Sequence, residues 1–98
     1  MTATAVTLDA YVLDTLMRDL VGHDHRPSAL LVYLAVTAAA AAGRAILSHA
    51  QLAERTGLSR RAAQEAVRHL VRRGLVRRRA GGPTETSEYE PLRPWRRD

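Results

Sequence analysis

The 98-residue sequence predicts a mainly α fold with a small β-hairpin near its end and an extra helix at its N-terminus. Three observations carry that expectation. Between Ser48 and Gly74, two stretches with apolar residues at three- and four-residue spacing flank Thr56-Gly57-Leu58, the pattern of two short helices joined by a glycine turn. After Gly74 the period changes: Leu75 to Arg79 reads as extended, Ala80-Gly81-Gly82-Pro83 is a turn by composition, and Glu85 to Glu90 returns as a second strand. Upstream, Leu8 to Val21 and Leu30 to Val36 are dense in apolar residues at helical spacing.

In order, Met1 to Val6 is a tail of small residues, and a helix is expected from about Thr7 to Val21. Thr7 is its cap and Asp9 lies in the first turn, where the helix dipole favours an anion. Its apolar residues, Leu8, Tyr11, Val12, Leu13, Leu16, Met17, Leu20 and Val21, cover more than one stripe, while Asp14 and Arg18 are spaced as an outward ion pair. That surplus makes the segment a candidate dimerisation element, the alternative being that it caps its own core. Gly22 to Pro27 is a turn whose His23 and His25 lack partners at metal-ligand spacing and read as solvated. Ser28 to Ala42 is the central helix, with Leu30, Leu31, Tyr33, Leu34 and Val36 as core and alanines as high-propensity filler, stopped by Gly43. Arg44 to Leu47 is a short extended segment.

Ser48 followed three residues later by Gln51 is a capping box, so the next helix begins near His49 and turns Ala50, Leu52 and Ala53 inward. Leu58 plugs the corner after Gly57, Ser59 caps the following helix, and Gly74 sits where a left-handed C-terminal cap belongs. Ala63, Ala66, Val67, Leu70 and Val71 form the buried stripe of that helix, and Arg60, Arg61, Gln64, Glu65, Arg68 and Arg72 its outer face. A guanidinium fork matches guanine O6 and N7, and Gln matches adenine N6 and N7, so this face suits a major groove. A charged outer face is also what any amphipathic helix shows, and the pattern alone leaves that reading open.

Leu52-Ala53, Gly57-Leu58-Ser59, Gln64, Ala66-Val67, Leu70 and Gly74-Leu75-Val76 resemble the winged helix-turn-helix of bacterial MarR and GntR type transcription regulators, over roughly residues 28 to 90. The resemblance implies a helix from Ser59 onward that enters the DNA, a β-hairpin wing beside it, and pairing of the segment at 44–47 with that wing. The sequence departs from the pattern at Ala62 and Ala63, where Thr and Val are frequent, and at Glu65, where a basic residue is frequent.

Charge agrees with a polyanionic partner. The net +5 divides into −2 from Met1 to Gly43, +8 from Arg44 to Pro83 and −1 from Thr84 to Asp98. All 15 basic residues are Arg. If Leu75 lies opposite Tyr89, then Arg77 faces Ser87 and Arg79 faces Glu85. Arg77, Arg78 and Arg79 would then line the backbone or minor groove, or Glu85, Glu88 and Glu90 neutralise them across the hairpin; strand alternation sends at least one Arg to each face, so both readings can hold. In the tail, Trp95 is expected to dock on the helices or a partner chain, and Arg93, Arg96 and Arg97 to meet phosphate or stay solvated.

Other classes fare worse. A chain of this length buries about 60% of its unfolded surface and leaves no room for a second core. It has no cysteine, no glycine loop that cradles phosphate, no metal cluster, and no nucleophile with an evident base, so neither an enzyme nor a cofactor is expected. The alanine-rich stretch ending at Ala42 is too short and interrupted to span a bilayer, and a cytoplasmic, nucleoid-associated bacterial protein is expected.

The expected organisation is an N-terminal helix and turn at 1–27, a winged helix-turn-helix at 28–90 and a basic tail at 91–98. The expected function is sequence-specific binding of double-stranded DNA in transcription regulation, as a homodimer through the N-terminal helix, with no small-molecule substrate. Arg60, Arg61, Gln64 and Arg68 are the base-reading candidates, with Glu65 an acceptor from cytosine. Ser48, Gln51 and Ser59 are the phosphate-positioning candidates, and Arg77, Arg78 and Arg79 the wing. A protein-interaction module and a plasmid or phage replication or partition factor are the alternatives.

Overall fold

The computed structural model describes residues 5–80 and 86–96. An N-terminal helix over residues 10–23 precedes α1 (Pro27–Ala41), β1 (Ala45–Leu47), α2 (His49–Thr56), α3 (Arg60–Arg72), β2 (Val76–Ala80) and β3 (Ser87–Pro91). The strands form one antiparallel sheet in the order β1-β3-β2. This is a winged helix-turn-helix with an added N-terminal helix.

The added helix starts at Ala10, three residues later than expected, so Thr7 does not cap it. It contains two π-helical turns, Val12–Leu16 and Asp19–His23, closed by the bonds Met17 N–H to Val12 O and Asp24 N–H to Asp19 O. In a regular α-helix each step of four residues drifts about 40° around the axis. The wider π turns offset that drift, and Val12, Leu16 and Leu20 are all buried in the core. Arg18 donates to the backbone oxygen of Asp14 at 2.7 Å instead of pairing with its carboxylate.

Helix α1 is the hub, packed by the N-terminal helix, α2, α3, β1 and β3. Pro27 occupies its first turn, where a missing N–H leaves nothing unsatisfied. Being covered from several sides, it buries Ala29, Val32, Thr37 and Ala39 beside Leu30, Tyr33 and Val36. Leu31, expected in the core, is 41% exposed and Leu34 only partly buried. The Thr37 hydroxyl donates to Tyr33 O at 2.8 Å, so its burial leaves no unmet donor.

The capping box of α2 forms as expected: Gln51 N–H donates to Ser48 Oγ at 3.1 Å, and Ser48 N–H to Gln51 Oε1 at 2.8 Å. Leu52 and Ala53 are buried, but Ala50 is exposed. Gly57 takes φ +79° in the turn, a conformation that any Cβ opposes. At the end of α3, Gly74 is left-handed with φ +70°; Gly74 N–H donates to Val71 O at 3.1 Å and Leu75 N–H to Leu70 O at 2.9 Å, a Schellman motif.

That motif changes the wing. Leu75 belongs to the helix end, where it is buried, so β2 begins one residue later. The register is Val76 opposite Pro91, Arg77 opposite Glu90, Arg78 opposite Tyr89 and Arg79 opposite Glu88. Relative to the expected pairing of Leu75 with Tyr89, this is a three-residue slip, and an odd slip exchanges the two faces of the strand. The turn at 81–83, Glu85 and Arg97 lie outside the described residues. Beyond β3 the chain folds back on the N-terminal helix: Tyr33 Oη donates to Leu92 O at 2.9 Å, and Trp95 stacks on Tyr11 with centroids 4.6 Å apart. Trp95 Nε1 donates to Asp9 at 2.8 Å and Arg96 Nε at 2.7 Å, which removes Arg96 from the free cations. Arg96 and then Trp95 hold the Asp9 carboxyl at about 2.

Candidate nucleic-acid interface

Helix α3 lies against α1 and α2 through Ala63, Ala66, Val67 and Leu70, which are at most 4% exposed. The small alanines let the helices approach closely, and Leu70, wholly buried, contributes about 1.5 to 3 kcal/mol by burial. With that stripe turned inward, Arg60, Arg61, Gln64, Glu65, Arg68 and Arg72 emerge on solvent. Val71, expected in the buried stripe, is 42% exposed. It joins Val67 in an open cleft between α3 and the sheet, whose rim is His49, Gln64, Arg68, Arg72 and Arg78.

Arg78 reaches this cleft because it shares its side of the sheet with Tyr89 and Ser87, the side turned to the core. Its Nε donates to Ser87 Oγ at 3.1 Å, which steers the guanidinium without neutralising it. Arg77 and Arg79 are on the opposite side. Arg77 pairs with Glu90 at 3.0 Å, and Arg79 stands across from Glu88. Glu88 itself accepts two bonds from Arg44, at 2.6 and 3.1 Å, and Arg44 above all, with a smaller contribution from Arg79, holds its carboxyl below the usual range. Strand alternation thus divides the three wing arginines as expected, with Arg78 on the side of α3 and Arg77 and Arg79 on the other.

The remaining candidates fall in two groups. Ser48 and Gln51 are occupied by each other in the capping box, and Ser59 Oγ accepts from Ala62 N–H at 3.0 Å. An N-cap serine accepts with a lone pair and keeps its hydroxyl proton for an outside acceptor. On the outer face Arg61 Nε donates to Glu65 Oε1 at 3.3 Å; with Arg61 89% exposed, such a pair contributes at most about 0.5 kcal/mol and is readily exchanged.

Two features of the surface escaped the sequence. Asp24, in the turn after the N-terminal helix, is clasped to the last turns of α3: His69 Nε2 lies 2.8 Å from its carboxylate, and Arg73 donates to the same oxygen. His23 is 3.0 Å from the other oxygen. The His23 bond first, then those of His69 and Arg73, outweigh burial and hold the Asp24 carboxyl at about 2. His23 and His69 thus serve a hydrogen-bonded cluster around Asp24, and Arg73, in ion pair with the same carboxylate, is taken from the cationic face. The second is the place of Arg72, which helical spacing already puts on the outer face of α3: it lines the cleft toward Arg78, so it stands beside Arg68 in the surface shared with the wing.

Over residues 26–76, more than half of the chain, the sequence matches the family described as Helix-turn-helix domain. The chain belongs to that family. This helix-turn-helix domain is of the DNA-binding kind, and the match spans α1 through the first residue of β2, the segment that carries the α3 face. No curated protein and no solved structure is significantly similar to the chain. Among the described residues of this helix-turn-helix protein no helix is long and apolar enough to cross a membrane, and no group of three or more His, Asp or Glu is arranged to hold a metal.

Proposed function

We propose that this helix-turn-helix protein is a sequence-specific binder of double-stranded DNA and a transcription regulator of the winged MarR and GntR kind. The observation that carries the reading is the shared cleft: Gln64, Arg68 and Arg72 of α3 and Arg78 of the wing line one surface. Helix α3 enters the major groove with Arg60, Arg61, Gln64 and Arg68 toward base edges, and Glu65 accepts from cytosine. Ser48, Gln51 and Ser59 meet phosphates near the helix starts, and Arg78 supplies the wing contact. Arg77, paired with Glu90, and Arg79, across from Glu88, add a general attraction to the duplex.

The working unit in this proposal is a homodimer. Supporting it, Leu13, Met17 and Val21 recur every four residues on the N-terminal helix and remain 52, 36 and 40% exposed. Such a stripe is what an isologous helix pair buries, and a two-fold pair reads a two-fold site.

Selection of bound duplexes from a random pool at near-physiological salt tests the function. An enriched motif is expected, palindromic if the dimer is correct, and Gln64→Ala or Arg61→Ala should lose about 1 to 3 kcal/mol on it while relaxing base preference. Recovery of no motif would reject sequence-specific recognition.

A further inference from the structure

Arg26 has no role in the interface described so far. It sits immediately before α1, and its backbone is fixed from both sides: Arg26 N–H donates to Leu20 O at 2.7 Å, and Arg26 O accepts from Ala29 N–H at 3.0 Å. Pro27 further restricts the residue before it. Two residues upstream the Asp24 carboxylate binds His69 and Arg73, so the turn is anchored to α3 itself. The Arg26 side chain is exposed and has no ion pair among the described residues.

Its position is specific. Arg26 lines a shallow cleft with Glu65, Arg68 and Arg72. The cleft that contains Arg78 is also lined by Arg68 and Arg72. These two arginines therefore form a ridge, with Arg78 in the depression on one side and Arg26 in the depression on the other. The Arg26 cleft holds three guanidinium groups against one carboxylate, and Glu65 already has Arg61 beside it. An excess of positive charge in an open, shallow surface attracts a polyanion and cannot enclose a small ligand. A major groove is about 12 Å wide and bounded by the phosphates of both strands, so a helix ridge inside it has a backbone on either flank.

We infer that Arg26 is a phosphate-binding residue that contacts the strand opposite to the one met by Arg78, so that α3 is clamped between two guanidinium groups. This rests on the proposal that α3 enters the major groove. It adds a contact from outside the two helices and the wing, and gives the Asp24 clasp a purpose: it sets Arg26 at a constant distance from α3.

The test uses the full chain and the duplex recovered by selection, together with a random duplex of equal length. Dissociation constants are measured across salt for the wild type, Arg26→Ala, Arg26→Lys and Arg93→Ala; Arg93 lies by the tail, near Asp9 and Tyr33. Arg26→Ala should weaken both duplexes roughly tenfold. It should also flatten the slope of log affinity against log salt by about 0.9. Arg26→Lys should restore the slope, and Arg93→Ala should leave it unchanged. Phosphate-ethylation interference on the selected duplex should lose one strand's signal with Arg26→Ala and the other strand's with Arg78→Ala. An unchanged slope for Arg26→Ala, an equal change for Arg93→Ala, or loss on the same strand as Arg78→Ala overturns the inference while leaving duplex binding intact. Failure of the wild type to bind any duplex overturns the inference together with the reading beneath it.

Discussion

Arg77, Arg78 and Arg79 are neighbours in sequence, yet the two faces of the sheet treat them differently. On the face toward α3, Arg78 opposes Tyr89, donates to the neutral Ser87 hydroxyl, and joins Arg68 and Arg72 in one cleft. On the outer face, Arg77 meets Glu90, and Arg79 shares Glu88 with Arg44. The first face concentrates charge that a phosphate can relieve; the second offsets most of its charge internally. Clusters of arginine in a sequence therefore count as a binding surface only after the strand's alternation and its acidic partners have been taken into account.

The largest test of this comparison removes what keeps the faces apart. Tyr89 is 2% exposed at the centre of β3, and Tyr89→Ala should lower stability by about 3 kcal/mol or more, read by thermal or denaturant unfolding. Stability within 1 kcal/mol of wild type would mean that the sheet is not anchored there. Next, Arg78→Ala should reduce duplex affinity by about 1.5 kcal/mol on every sequence, whereas Arg77→Ala should change it by less than about 0.5 kcal/mol. Titrations that gave the two variants equal losses would erase the distinction between faces. A third change converts one face toward the other: Glu88→Gln with Glu90→Gln leaves Arg44, Arg77 and Arg79 without their acids, so binding to random duplex should tighten a few-fold and its salt dependence should steepen. Folding stability should fall by no more than about 1 kcal/mol, these pairs being exposed.

The smallest effect at ordinary pH concerns the clasp behind α3. Asp24 has a folded value of about 2 against 3.8 for the free group, so its ion pairs stabilise the fold above pH 3.8 and are lost as pH falls toward 2. Asp9 follows the same sign and window. Acid unfolding monitored by circular dichroism should show a steep limb in that range, made shallower by Asp24→Asn. A limb of unchanged steepness in the variant would assign the acid sensitivity elsewhere.

Much of the scaffold was legible in the residues. Ser48 with Gln51, Gly57, Ser59 and Gly74 each act on backbone groups within a few positions, so the boundaries of α2 and α3 follow from local chemistry. The outer face of α3 was legible for the same reason, as helical spacing sorts Arg60, Arg61, Gln64, Glu65, Arg68 and Arg72 away from Ala63, Ala66, Val67 and Leu70. Leu31 and Val71 were misassigned because periodicity reports that a residue is apolar, not whether anything lies against it. The wing register was missed because Leu75 satisfies two patterns equally well, the first residue of a strand and the apolar residue after a helix cap; the bond from its N–H to Leu70 O decides for the cap.

By itself the sequence determined the helix-turn-helix, since its caps, turn and stripe are interactions over three to five residues whose free energy is set locally. Only the tertiary structure decided which cations are available. Arg73 and Asp24 are 49 positions apart, Arg96 and Asp9 87, and Arg44 and Glu88 44. Charge neutralisation acts through space over a few ångströms, and the chain's path alone brings those partners within that reach.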